Sequence, residues 1–267
     1  MTLFMDEIMS KLLLILAITL ALPVNASFTV STQNLWHYTN DYENRLKNLN
    51  DEYFSESADI MNFQEAWQSF TGKSLFNTIV KKEEFNTHYY RTNNTLIIKE
   101  GLATLSRFEI LEKTAFELPH SKLFRKRTMI ITKILSPTKK ELYMINIHLS
   151  PFTQGKVERV DQLDYILKKI ESDFSDAPVI LTGDFNQEED ENFFTKLVDA
   201  GYSSTLPGIC TYCANENEYV DSEYISKLDY IFYPKEVFQL QKARRTFVEK
   251  PISDHFGIKA EFIDLRD

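Results

Sequence analysis

Residues 178–186 read Pro-Val-Ile-Leu-Thr-Gly-Asp-Phe-Asn. Pro178–Thr182 is a short, continuous apolar run that stops at Gly183-Asp184, the pattern of a buried strand ending in a turn. Upstream of it, Val157, Val160, Leu163, Ile166, Leu167 and Ile170 recur at helical spacing, and before them Leu142–Leu149 reads as a strand. Further out, Phe28–Leu35 alternates apolar and polar residues, and Tyr42, Leu46, Leu49 and Tyr53 mark one helix face. Ile60–Gln64, Leu102–Leu105 and Met129–Ile134 are predicted strands, and Trp67–Val80 a predicted helix. Downstream, Phe193, Phe194, Leu197 and Val198 predict another helix, and Leu228–Tyr233 and Gly257–Phe262 late strands. Several strands follow one another directly, so the expected fold is an α-β-β-α sandwich of four layers, two mixed β-sheets packed face to face between helices, and not a pure βαβ series. No linker and no internal repeat is evident.

The chain has 267 residues, 43% of them hydrophobic, with seven Gly and eight Pro, which excludes a disordered or low-complexity protein. Its net charge of −9 excludes a broadly basic nucleic-acid-coating protein and leaves open a local basic groove. Lys11, the apolar stretch Leu12–Leu22 broken only by Thr19, and Pro23-Val24-Asn25-Ala26 match a secretory signal peptide. The stretch is short of the roughly 20 residues that a membrane span needs. Cleavage is expected after Ala26, giving a secreted or periplasmic chain whose residues 27–267 form a single domain. Loss of Asp6, Glu7 and Lys11 would bring the net charge from −9 to −8. Asp6 and Glu7 are out of character for such a leader, so Met9 is an alternative start.

Polar, chemically capable residues recur where the predicted strands end: Asn34, Glu65, His148, Asp184 with Asn186, and Asp254-His255. Each has an ordinary reading taken singly, as a turn residue, a solvated acid, a core histidine or a cap. Strand ends on one side of a sheet converge, so together they predict one cleft.

Seven segments resemble the endonuclease/exonuclease/phosphatase superfamily, with its deoxyribonuclease-like fold, in the family's order: Thr32-Gln33-Asn34-Leu35, Phe63-Gln64-Glu65-Ala66-Trp67, Gly101 through Arg107, Asn146-Ile147-His148-Leu149, Thr182-Gly183-Asp184-Phe185-Asn186, Leu228-Asp229-Tyr230-Ile231 and Ser253-Asp254-His255-Phe256-Gly257. The resemblance spans the whole mature chain. It implies Glu65 as the main metal ligand, supported by Asn34 and Asp254, with Mg²⁺ as the metal and Mn²⁺ as a substitute, since hard oxygen donors suit such ions. It implies that Asp184 orients or deprotonates the attacking water and that Asn186 donates to the phosphate. It also implies that His255, held by Asp229, is the catalytic histidine, and that His148 is a second phosphate-side histidine. The implied reaction is in-line attack of water on a phosphate ester, without a covalent intermediate. The family includes nucleases, sphingomyelinases, other lipid phosphodiesterases and phosphoinositide phosphatases, so the fold does not choose the substrate.

The basic run Arg125-Lys126-Arg127 is read as a solvated turn, with phosphate contact as the alternative, and Tyr212 and Asn215 receive no role. Cys210 and Cys213 lack nearby partners for a zinc site, and in an exported protein they are expected to form a small-loop disulfide. For substrate, the acidic balance weighs against a polyanion. The aromatics between motifs (Trp36, Tyr38, Phe152, Tyr219, Tyr224) are read mostly as core residues, and any that are exposed near the cleft suit a membrane–water interface. Asn34-Leu35-Trp36 and Glu65-Ala66-Trp67 look more like the sphingomyelinase branch. The expected partner is therefore a phospholipid-type phosphodiester, met by peripheral contact of a monomer with a membrane surface. The alternatives are a secreted endonuclease acting on nucleic acid, a phosphoinositide-type phosphatase, and a catalytically dead phosphate-ligand binder.

Overall fold

The structure, a computed structural model, describes residues 27–38, 40–68, 73–92, 100–120 and 126–266. The expected signal peptide (1–26) and Arg125 lie outside the described residues. Among the described residues no helix is long and apolar enough to cross a membrane.

The elements run β1 (Ser27–Asn34), α1 (Tyr42–Glu56), β2 (Ile60–Gln64), α2 (Leu75–Val80), β3 (Asn86–Arg91), β4 (Gly101–Ser106), β5 (Ile110–Glu117), β6 (Thr128–Leu135) and β7 (Glu141–His148). They continue with α3 (Lys156–Asp173), β8 (Val179–Asp184), α4 (Glu191–Asp199), β9 (Tyr202–Ser204), β10 (Tyr212–Cys213), β11 (Ile225–Ser226), β12 (Asp229–Pro234), β13 (Phe238–Thr246) and β14 (Gly257–Asp264). Two six-stranded sheets result, in the orders β13-β14-β1-β2-β4-β3 and β5-β6-β7-β8-β12-β9. The architecture is the expected four-layer sandwich.

Three apolar clusters mark the three contacts between layers. Leu49, Tyr53, Met61, Phe63, Phe76 and Ile79 join α1 and α2 to the first sheet. Phe28, Val30, Ile60, Met144, Ile180 and Ile231 lie between the sheets. Ile145, Leu163, Ile166, Leu181, Phe194 and Leu197 join α3 and α4 to the second sheet. At about 25 cal/mol per Å² of apolar surface, each such interface is a major source of stability, because a buried Phe or Leu contributes about 1.5–3 kcal/mol.

The middle layer changes character along the strands. On β1, alternate residues run Phe28, Val30, Thr32, Asn34, all buried. On β2 the same face runs from Ile60 to Gln64, and on β7 from Leu142 and Met144 to Asn146 and His148. Buried amides must be hydrogen-bonded. Gln64 donates to Asn146 Oδ1 at 2.7 Å, and Asn146 Nδ2 donates to the carbonyls of Phe63 (3.1 Å) and Ala103 (2.9 Å). One end of this layer is therefore oil and the other a polar network, and the network lies directly beneath the candidate site.

The sheets share one connectivity. In the first, parallel β1 and β2 are joined through α1; in the second, parallel β7 and β8 are joined through α3. Each parallel pair is flanked by antiparallel strands, β14 and β4 or β6 and β12. The chain thus does contain an internal repeat at the level of topology, where the sequence shows none at a glance.

Two local expectations change. Within the predicted helix Trp67–Val80, residues 69–72 lie outside the described residues; Trp67, Gln68, Lys73 and Ser74 are not helical, and the helix of Leu75–Val80 is capped by the Ser74 hydroxyl, which accepts from Asn77 N–H at 3.1 Å. On α3, Leu163 and Ile166 are buried as expected, whereas Val157 and Val160 are exposed in the first turns, before the helix settles onto the sheet.

Candidate active site

Both parallel pairs stop at the same end of the sandwich, with Asn34 registered to Gln64 and His148 to Asp184. Ligands of open α/β sheets bind outside the carboxyl ends of such strands. Two Asx-type turns redirect the chain there. Trp36 N–H donates to Asn34 Oδ1 at 2.9 Å, and Asn186 N–H to Asp184 Oδ1 at 2.8 Å. Trp36, Glu65 and Asn186 are left-handed (φ 47°, 50° and 49°). Such conformations are costly for residues other than glycine and concentrate at functional sites. Gly183 is required by contact: a Cβ there would lie 2.0 Å from Ile147 O.

The carboxylates are linked side by side. Asn34 Nδ2 donates to Asp184 Oδ2 at 3.0 Å and to Glu65 Oε1 at 3.3 Å. Asn34 is thereby a bridge between the two acids, with its oxygen turned to Trp36. His37, not anticipated from sequence, holds Glu65 Oε2 through its backbone N–H (3.0 Å) and through Nδ1. Burial opposes the Glu65 carboxylate, but the bonds from His37 and its charge outweigh it and hold its pKa below the usual range. For Asp254, burial and then the Glu65 charge outweigh His255 and Arg45 and push the carboxyl up to about 6. Two partly buried carboxylates that repel one another fit a small hard cation, whose charge would relieve them.

Opposite lies the histidine group. His255 Nδ1 donates to Asp229 Oδ2 at 2.8 Å, and its Nε2 is 3.9 Å from Asp184 Oδ2. Ligand-type atoms of Asp184, Asp229 and His255 all fall within 4.8 Å of one another. Burial disfavours the His255 cation, yet the charges of Asp229 and Asp184 hold its pKa well above the ordinary value. Asp184 itself is pushed up to about 7, first by burial, with the Asp229 charge adding to it against His255. His148 Nε2 is 3.4 Å from the same Asp184 oxygen and, by burial and the charge of Arg127, is kept neutral.

The expected residues Asn34, Glu65, His148, Asp184, Asn186, Asp229, Asp254 and His255 therefore meet at one cleft. Asn186 Nδ2 is engaged by Leu149 O at 3.2 Å. Arg127 departs from the solvated-turn reading. It is nearly buried, 4.0 Å from Glu100, which lies 4.0 Å from His148 Nδ1. Lys126 pairs with exposed Glu117, as a solvated residue does. Tyr212 packs edge-on to His255 with ring centroids 5.1 Å apart, and Asn215 is exposed. Cys210 and Cys213 are joined in a disulfide, between which Thr211 Oγ1 accepts from Leu228 and Asp229 N–H at 3.0 and 3.1 Å. Nothing in the local sequence marks His37, which only the contact with Glu65 reveals, and the basic run around Arg127 does not show that its charge faces His148.

Solved structures of the same fold cover nearly their whole length. Danio rerio TDP2 complexed with a single-strand DNA product superposes with a TM-score of 0.71 at 21% identity, over 89% of this chain and 99% of that one. A functionally unknown conserved protein from Enterococcus faecalis gives 0.71 at 18% identity over 88% and 99%. An endonuclease/exonuclease/phosphatase from Bacteroides vulgatus gives 0.70 at 16% over 90% and 99%. No curated protein matches the sequence. The endonuclease/exonuclease/phosphatase family model matches residues 31–255, which contain every residue of the cleft, and the chain belongs to that family.

Proposed function

We propose that this chain is an exported, Mg²⁺-dependent phosphodiesterase that hydrolyses a small or lipid-type phosphodiester by in-line attack of water. Family members are phosphate-ester hydrolases that use a divalent metal. The observation that carries the reading is the buried His255–Asp229 pair set against Asp184. Glu65 and Asp254 would hold the metal, and Asn34 fixes Glu65 relative to Asp184. The metal supplies neutralisation of charge on the phosphoryl oxygens. Asp184, with a pKa of about 7, is matched to take a proton from water near neutrality. The His255 imidazolium, oriented by Asp229, donates to a phosphoryl oxygen as charge builds there. Neutral His148 and the Asn186 amide add donors. Preorganised donors of this kind each contribute about 2.7–4 kcal/mol to the barrier.

The lipid-type preference rests on the acidic balance and on Tyr38, Phe152 and Tyr224, which keep their rings exposed. Export rests on the leader pattern, and the Cys210–Cys213 disulfide accords with an oxidising compartment. Nucleic acid is the second reading, favoured by the DNA product held by the zebrafish relative.

The test measures phosphocholine release from sphingomyelin vesicles beside nicking of supercoiled DNA, each with Mg²⁺ and with chelator. Expected are Mg²⁺-dependent headgroup release and its loss in Glu65→Gln, which also binds Mg²⁺ weakly by calorimetry while remaining folded. Rapid nicking without headgroup release overturns the substrate, and full activity in excess chelator overturns the metal.

A further inference from the structure

The two crossovers match residue by residue. Counting on from Asn34 and from His148, the fourth residue is an aromatic (Tyr38, Phe152) and the eleventh an arginine (Arg45, Arg159). Each arginine is the fourth residue of its helix, is buried, and turns back onto the loop it follows. Arg45 donates to the carbonyls of Leu35 (2.7 Å), Trp36 (2.9 Å), Tyr38 (2.7 Å) and Asn40 (3.4 Å), and to Ile252 O (2.7 Å) beside the Asp254 loop. Arg159 donates to the carbonyls of Ser150 (2.9 Å) and Phe152 (2.7 Å), and to Gln187 Oε1 (3.1 Å). The carbonyls held in common are those two and four residues past the strand end. Three residues beyond each arginine, an amide donates to a prolyl carbonyl: Asn48 to Pro251 and Gln162 to Pro119, both at 2.9 Å.

In both loops the clamp fixes the main chain beneath an aromatic whose ring stays in water: Tyr38 is 56% exposed and Phe152 73%. Phe152 also adopts φ 61°, ψ 170°, a region essentially reserved for glycine and tolerated where the surroundings over-determine it, as at ligand clamps. A single exposed apolar side chain needs no explanation. Two at equivalent positions, each four residues past a cleft residue and each pinned by a buried charge, do.

We propose that Tyr38 and Phe152 are specificity-determining residues, each receiving one organic arm of a phosphodiester whose phosphate lies between the two crossovers. The inference rests on the phosphoesterase reading above and deepens it. A diester carries two alkoxy arms on one phosphorus, and two equivalent loops offer a ring to each. A monoester has one arm and leaves one ring idle. The Tyr38 ring lies against that of His37, 4.2 Å between centroids, which places it on the Glu65 side. Phe152 belongs to the loop that engages Asn186 through Leu149, on the Asp184 side.

The test compares hydrolysis of bis(4-nitrophenyl) phosphate and 4-nitrophenyl phosphate by wild type, Tyr38→Ala, Phe152→Ala and the double variant, with Mg²⁺. Each single substitution is expected to raise KM for the diester about five- to tenfold, with the effects multiplying in the double variant. Only one of the two is expected to raise KM for the monoester. An unchanged diester KM in either single variant, or a rise in monoester KM in both, overturns the inference. Binding is read separately by tryptophan fluorescence, titrating dibenzyl and benzyl phosphate. Wild type that prefers dibenzyl phosphate, variants that lose the preference, and no hydrolysis by any protein would sink the phosphoesterase reading and keep the two-arm grip. Absence of that preference in wild type sinks the grip alone. Phe152→Gly adds a control for packing, with an unchanged or higher Tm expected beside the raised KM. A lower Tm would mean that the ring serves the fold, and would overturn its assignment.

Discussion

The two crossovers place a carboxylate at the same edge of the molecule and give it opposite characters. In the β7-α3-β8 unit, Asp184 sits at the end of its strand and looks between the sheets, where burial raises it to about 7. In the β1-α1-β2 unit the equivalent position is Gln64, which serves the buried amide network. The acid there is the next residue, Glu65, re-aimed by its left-handed backbone into the grasp of His37, which keeps it ionised. One scaffold thus holds one carboxyl below its ordinary range and the other above it. A one-residue offset and the choice of partner separate them, and such separation of titrating groups assigns acid–base roles.

The largest test of this contrast is chemical. Asp184→Asn and His255→Ala should each lower the Mg²⁺-saturated rate by about 10²–10⁴-fold, while calorimetric Mg²⁺ affinity changes little. Glu65→Gln should do the reverse in affinity. A similar loss of Mg²⁺ binding in all three would erase the division of labour.

Next in size are the clamps. Arg45 serves five carbonyls and Arg159 two carbonyls and an amide oxygen. Removing a buried charged donor leaves its acceptors unpaired, so Arg45→Met should cost about 3–5 kcal/mol by urea denaturation. Arg159→Met, with fewer acceptors, should cost about 2–3 kcal/mol. Equal losses would mean that the clamps are equivalent in energy as well as in position.

The smallest effect is on stability against pH. The Asp184 pKa is raised in the folded protein, from 3.8 to about 7. Between those values the folded state binds more protons than the unfolded chain, so this residue's stabilisation is full below about pH 4 and lost as pH rises through about 7. The Tm of Asp184→Asn minus that of wild type, in chelator, should therefore become more positive from pH 5 to pH 8. The change is on the order of 2 kcal/mol, or about 4–8 °C. A flat difference would show that Asp184 is ionised throughout and is no different from Glu65.

Much of this was readable in the residues. Asn34, His148 and Asp184 each end an apolar run, and a polar residue there has few other duties, so the cleft could be listed from strand ends and motif order alone. The edge strands β3, β5 and β13 could not. Ile110–Glu117 and Phe238–Thr246 are half solvated and carry Glu, Lys, Gln and Arg, so they lack the apolar pattern of inner strands. His37 escaped because its partner is 28 residues away and no periodicity links them. The repeat was present in the string: after Asn34 and after His148 come Leu at the first position, Arg at the eleventh and Leu at the fifteenth. So few identities go unnoticed until the hydrogen bonds show what the arginines hold.

The pairing of Ser27 with Ile263 has a practical consequence. β1 runs toward the cleft, so Ser27 stands at the opposite end of the sandwich, seven residues or about 23 Å back along the strand from Asn34. The last turn of β14 lies beside it. A tether, tag or fusion partner attached at either place emerges on the side away from the candidate site. The protein can therefore be immobilised by that side without obstructing access to the site.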